Sequence, residues 1–222
     1  IKPEVLKPLL EKYIASIPGI KRKEKFKDNT VEWVSNKIDK DVFIKMETPK
    51  SSVKIKFQDN FTYSQKNRIL ASFLGDILTL RYTESLREKE GGTYGAQVSG
   101  SLVKLPKPTV NLNIAFDCDA DKVEHLLPIV YQEIDKIRKG DILNEDIEKT
   151  SKNYIKAKAD QQNFNFNSMD LIFNYFENNI NMDDPKNYID IVNAVTVKDI
   201  QDFANTFFKN AKSYEVVFKP LK

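Results

Sequence analysis

Apolar and polar positions recur along this chain in two periods, and the changes of period mark out its elements. Between residues 3 and 16, Val5, Leu6, Leu9, Leu10, Tyr13 and Ile14 repeat at helical spacing until Pro18-Gly19 stops the run. Val53, Ile55 and Phe57 alternate with Lys54, Lys56 and Gln58, the pattern of a strand near residues 52–58 with one wet face. From Ser64 to about Lys89 the helical period returns, with Ile69, Leu70, Phe73, Leu74, Ile77 and Leu78 on one stripe. Gly91 and Gly92 end it. Strands are predicted near residues 93–104 and 109–118, joined by a turn at Leu105-Pro106-Lys107-Pro108.

The second half reads as helices until its last strand. Asp119 is the expected N-cap of a helix over residues 121–139 that stops at Gly140. Asn144 is read as the cap of the next helix, which reaches about Asp160. The amide-rich Gln161-Gln162-Asn163-Phe164-Asn165-Phe166-Asn167-Ser168 then interrupts the pattern, either as a loop or bend or as the lining of a peptide groove. Short helices rich in Phe and Tyr, expected in the core, follow over residues 169–180 and 185–194. Thr196-Val197-Lys198-Asp199 reads as a capping box opening a helix that buries Ile200, Phe203, Ala204 and Phe207, and residues 213–219 close the chain as a strand.

Strands separated by long amphipathic helices predict an α+β fold: a two-layer domain, mainly antiparallel, with long helices packed on one face. A doubly wound parallel sheet fits worse, because residues 93–118 place two strands together without a crossover helix. The expected division is an amino-terminal helix and basic linker over residues 1–30, belonging to an upstream domain, and an α+β domain over residues 31–222.

A chain of 222 residues with 41% hydrophobic content is large enough to bury a substantial core. Its 35 basic and 32 acidic residues are interspersed, which argues against a nucleic-acid partner. The densest basic run, residues 21–27, reads as a solvated linker. No stretch of eighteen apolar residues is present, so no membrane span is predicted. The single cysteine, Cys118, excludes an intrachain disulfide and alternates onto the apolar side of its strand. The one histidine, His125, lies about 200° around its helix from Val123 and is expected on the surface. With no second histidine a three-ligand zinc site cannot be drawn, and no metal site is assigned to this chain.

The segment with the most chemistry is Leu86-Arg87-Glu88-Lys89-Glu90-Gly91-Gly92-Thr93-Tyr94-Gly95, which leaves a helix, reverses and enters a strand. Arg87 carries a permanently charged fork of donors suited to carbonyl oxygens. Tyr94 carries a phenolic proton that is retained at neutral pH in an ordinary tyrosine. Such a donor pair can hold a peptide carbonyl and stabilise an oxyanion, while the bland alternative is a helix terminus with a surface arginine and a core tyrosine. Glu84, Glu88 and Glu90 either tune charge preference beside this segment or form a solvated face.

Arg87, six intervening residues including glycines, and Tyr94 resemble the arginine–tyrosine segment of the pitrilysin and insulin-degrading-enzyme (insulinase-like) family of zinc metallopeptidases. The opening helix and Pro18, and the strand through Ile114-Ala115-Phe116-Asp117-Cys118 into a helix, are similar to that family in the same order. The resemblance implies the carboxy-terminal, substrate-binding domain of a zinc metallopeptidase, with Tyr94 as catalytic donor to the scissile carbonyl and Arg87 and Tyr94 binding the peptide substrate. It also implies that zinc is a cofactor of the complete enzyme, held by an amino-terminal half on the same or a partner chain through an inverted H-x-x-E-H helix that is absent here. The chain, which begins at Ile1, is then a piece of a longer polypeptide and inactive alone. The competing reading is a non-catalytic structural or peptide-binding domain of the same fold.

Overall fold

The computed structural model describes residues 1–20, 27–33, 35–161, 164–181 and 184–221. Two compact units partition the chain, Ile1–Glu32 and Trp33–Lys222. The first carries α1 (Pro3–Leu10), whose last turns widen to π-helical geometry over Glu11–Ala15, with Val5, Leu9 and Tyr13 exposed. Most of the basic run, residues 21–26, lies outside the described residues.

The second unit is a five-stranded sheet under helices. Its strands are β1 (Lys37–Ile44), β2 (Lys50–Asn60), β3 (Thr93–Val103), β4 (Thr109–Asp119) and β5 (Lys212–Pro220), in the spatial order β1-β5-β2-β4-β3. Every pairing is antiparallel except that of β1 with β5. The helices are α2 (Gln65–Tyr82), α3 (Val123–Arg138), α4 (Asn144–Gln161), α5 (Asn165–Asn178), α6 (Tyr188–Asn193) and α7 (Val197–Asn210). The α+β architecture expected from the periods is therefore present.

Alternation places one side of β2, β3, β4 and β5 in the core. Val53, Ile55 and Phe57 of β2 face inward with Leu112, Ile114, Phe116 and Cys118 of β4, as the period of two requires. Onto them pack Phe73, Leu74, Ile77 and Leu78 of α2, Leu126 and Val130 of α3, and Phe203 and Phe207 of α7. The capping box is made as read: the Thr196 hydroxyl accepts from the Asp199 amide, and the Asp199 carboxylate accepts from the Thr196 amide at 3.0 Å.

Helix α2 reaches the sheet more closely than side chains would allow. A Cβ on Gly75 would stand 2.5 Å from the Gly100 nitrogen, so backbone lies against backbone where α2 crosses β3. Beyond Tyr82 the helix turns π-helical over Thr83–Lys89, where Ser85 and Leu86 stay buried and Arg87 is exposed. A single α-helix through residue 89 was the expectation.

Three expectations are corrected. Strand β1 was not anticipated, because Lys37, Asp39, Lys40 and Asp41 break the alternation on an edge strand that buries little. Asp119 does not cap α3: it remains in β4, and Lys122 precedes the first helical residue, its amide donating to the Asp119 carbonyl. The aromatic residues of α5 are not core. Phe166, Met169, Phe173 and Phe176 are exposed, the last by 78%, whereas Val192 of α6 is fully buried. Periodicity reveals an apolar stripe but not what covers it.

Candidate functional site

The reversal between α2 and β3 is built by two glycines that do different work. Gly91 adopts φ +53°, a left-handed conformation that other residues resist, and its amide donates to the Arg87 carbonyl. The Gly92 amide donates to the Leu86 carbonyl at 3.0 Å. A Cβ on Gly92 would lie 2.6 Å from Cδ2 of Leu126, a fully buried residue of α3, so this glycine is required by close approach. The start of α3 also holds the reversal from outside. Lys122 Nζ donates to the Gly91 carbonyl at 3.2 Å, and His125 Nε2 lies 2.7 Å from Glu90 Oε2. His125 is at the surface, and its Glu90 partner was not visible in the sequence.

Strand β3 begins irregularly. Thr93 pairs with Cys118 of β4, but the register shifts before Ala96, so Tyr94 and Gly95 bulge from the ladder at the sheet's edge. The Thr93 hydroxyl ties off the bulge, accepting from the Gly95 amide and donating to the Gly95 carbonyl. Tyr94 is left 85% exposed, with Lys50 Nζ 4.8 Å from its ring centre. It is not the core tyrosine of the bland alternative.

Tyr94 lines a cavity of about 220 Å³ together with Lys50, Gly92, Thr93, Asp117 and Asp119. The buried Cys118 also borders it. Burial, reinforced by the Asp119 and Asp117 charges, pushes the Cys118 thiol up to about 11, so it stays protonated at neutral pH. Arg87 is exposed but does not line this cavity. Glu84 is paired with Lys89 at 2.8 Å, which holds its carboxyl below the usual range, and Glu90 is taken by His125. Lys50 went unnoticed in the sequence, whose pattern shows Asp117 and Asp119 only as strand and cap residues, not as part of a site. The only signal was the register of β2 on β4, which sets Lys50 opposite Asp119 and depends on long-range pairing.

Among the described residues no group of three or more His, Cys, Asp or Glu side chains could hold a metal ion. His125 faces Glu90, and Cys118 is sealed in the sheet, so these residues do not fit a zinc site. No helix among the described residues is long and apolar enough to cross a membrane. A second cavity, of about 460 Å³, opens among the helices, lined by Arg68, Tyr154, Lys158 and Tyr188. Gln161 and Asn167 of the amide-rich stretch reach it, while residues 162–163 lie outside the described residues.

Comparison with known proteins gives a consistent picture. A family model described as the peptidase M16 inactive domain matches residues 1–154. The probable zinc protease PqqL of Haemophilus influenzae is 26% identical over 137 residues, covering 62% of this chain and 14% of its own length. The crystal structure of the periplasmic protease PqqL from Escherichia coli superposes with a TM-score of 0.81 at 15% identity, over 100% of this chain and 24% of that one. A protease from Helicobacter pylori superposes with a TM-score of 0.77 at 17% identity, over 99% of this chain and 53% of that one. The chain thus spans a small fraction of the curated relative and about half of the Helicobacter protein.

Proposed function

The chain belongs to the family of peptidase M16 inactive domains, and from that premise we propose that it is the substrate-binding portion of a zinc-dependent metalloendopeptidase. In this reading residues 1–30 are the helix and linker of an upstream domain, and zinc and the general base come from a separate amino-terminal half. Tyr94 donates its phenolic proton to the scissile carbonyl oxygen, and Arg87 holds the neighbouring peptide backbone. The observation that carries the proposal is the exposed Tyr94 hydroxyl at the bulged start of an edge strand, beside an open cavity. A bulge at a strand's edge re-aims a side chain out of the ladder, and preorganised donors of this kind strengthen as charge develops on the carbonyl.

One observation favours the second reading, a non-catalytic structural or peptide-binding domain: Arg87 does not line the cavity that Tyr94 lines. Kinetics of the full-length protein and its Tyr94→Phe variant on a peptide substrate separate the two. The catalytic reading expects turnover to fall about a hundred- to a thousandfold. Turnover within about twofold of the parent removes the catalytic role and leaves the binding role.

A further inference from the structure

The side of the sheet facing away from α2, α3 and α7 carries a row of cations. Lys50, Lys54 and Lys56 alternate along β2 on that side, opposite the inward Val53, Ile55 and Phe57. Each ammonium rests near an aromatic ring: Lys50 over Tyr94 at 4.8 Å, Lys54 over Phe218 at 5.7 Å, and Lys56 over Trp33 at 5.8 Å. Among the described residues none of the three forms an ion pair. Rings of this kind steady a cation without neutralising it.

The neighbours on the same side decide what the row can hold. Across the ladder from Lys54 and Lys56 stand Ala115 and Asn113 on β4, then Gln97 and Ser99 on β3. On the other flank are Val216 and Tyr214 of β5, and beyond Val216 comes Lys40 of β1. No carboxylate belongs to these positions. The acidic residues on this side stand at the cavity end, where Asp117 pairs with Ser52 and Asp119 with Lys50. Among these strand positions, positive charge therefore gathers around Lys54 and Lys56 and is offset beside Tyr94.

Resting on the substrate-binding function proposed above, we infer that this sheet face selects polypeptide segments bearing acidic residues at alternate positions. Lys54 and Lys56 are two strand residues apart, about 7 Å, which matches the repeat of an extended chain lying along β2. Lys54 is four strand residues from Lys50, about 13 Å. The acidic pair accordingly lies four to six residues from the residue held at Tyr94, and carboxylates at the cavity itself are disfavoured by Asp117 and Asp119. The amide and hydroxyl side chains of Asn113, Gln97 and Ser99 supply neutral hydrogen bonds beside the row.

The test is binding of a fluorescein-labelled twelve-residue peptide with glutamates at two alternate positions, compared with its glutamine isostere. The full-length protein is used, with a chelator present so that the peptide survives. The Lys54→Gln/Lys56→Gln variant is expected to weaken the glutamate peptide about three- to tenfold, leaving the glutamine peptide within about 1.5-fold. The Lys54→Glu/Lys56→Glu variant is expected to prefer a lysine version of the peptide. Equal losses for both peptides, no loss for either, or displacement of the peptide by a single-stranded oligonucleotide of equal charge at lower concentration overturns the inference. An unchanged Tyr94→Phe turnover with lysine-dependent binding intact would remove the catalytic proposal and leave this surface standing. The reverse pair of results would do the opposite.

Discussion

Gly100 of β3 lies so close to Ala71 of α2 that a Cβ built on Gly100 would stand 1.8 Å from the Ala71 carbonyl oxygen. With Gly75 facing the same strand, the contact locks the helix that leads to Arg87 against the strand that begins at Tyr94.

Gly100→Ala cannot be absorbed by a side-chain rotation, because the obstacle is helix backbone. The expected destabilisation is about 3 kcal/mol, at the upper end of overpacking changes, and a fall in Tm of roughly 6–12 °C for a unit of this size. A thermal melt of Gly100→Ala within 1 °C of the parent would show that the helix and strand are not held this closely.

Gly92 meets a side chain instead of backbone, so its requirement can be relieved. Gly92→Ala alone is expected to cost about 1–3 kcal/mol by forcing the fully buried Leu126 aside. In a Leu126→Ala background the same change should cost less than about 0.5 kcal/mol, a coupling of at least about 0.5 kcal/mol in a double-mutant cycle. Additive urea-unfolding free energies would contradict the contact.

Asp199 makes the α7 cap sensitive to acid. Burial by itself would raise its carboxyl, but Lys66 and the hydroxyl and amide of Thr196 outweigh burial and hold it below the usual range. A carboxylate depressed by folding contributes stability above its unfolded value near ~3.9, and loses that contribution as pH falls through its folded value. Asp199→Asn should therefore be destabilised by up to about 1 kcal/mol at pH 7 and by less at an acid pH below ~3.9, whereas Thr196→Ala should lose about 1 kcal/mol at neutral pH through its cap. Urea midpoints at the two pH values measure both, and a constant Asp199→Asn difference would refute the linkage.

Much of the architecture was legible because it is local. The stripe Ile69, Leu70, Phe73, Leu74, Ile77 and Leu78, the alternation of Val53, Ile55 and Phe57, and the Thr196–Asp199 box each declare their element within a few residues. The segment from Arg87 to Tyr94 could likewise be singled out, since a helix end, two glycines and a strand start follow one another directly. What remained illegible involves partners far apart in the chain. The parallel β1–β5 pairing joins residues about 176 positions apart, as Lys37 with Ser213 shows, and no local period encodes it. The same holds for Lys50 over Tyr94, for His125 on Glu90, and for the gap at Gly100 that only the α2 backbone fills. Side-chain periodicity determined which residues form helices and strands and which of their faces are apolar. Packing decided which apolar faces are covered, leaving Phe173 and Phe176 of α5 exposed, and which polar groups meet, because burial and register are properties of elements brought together.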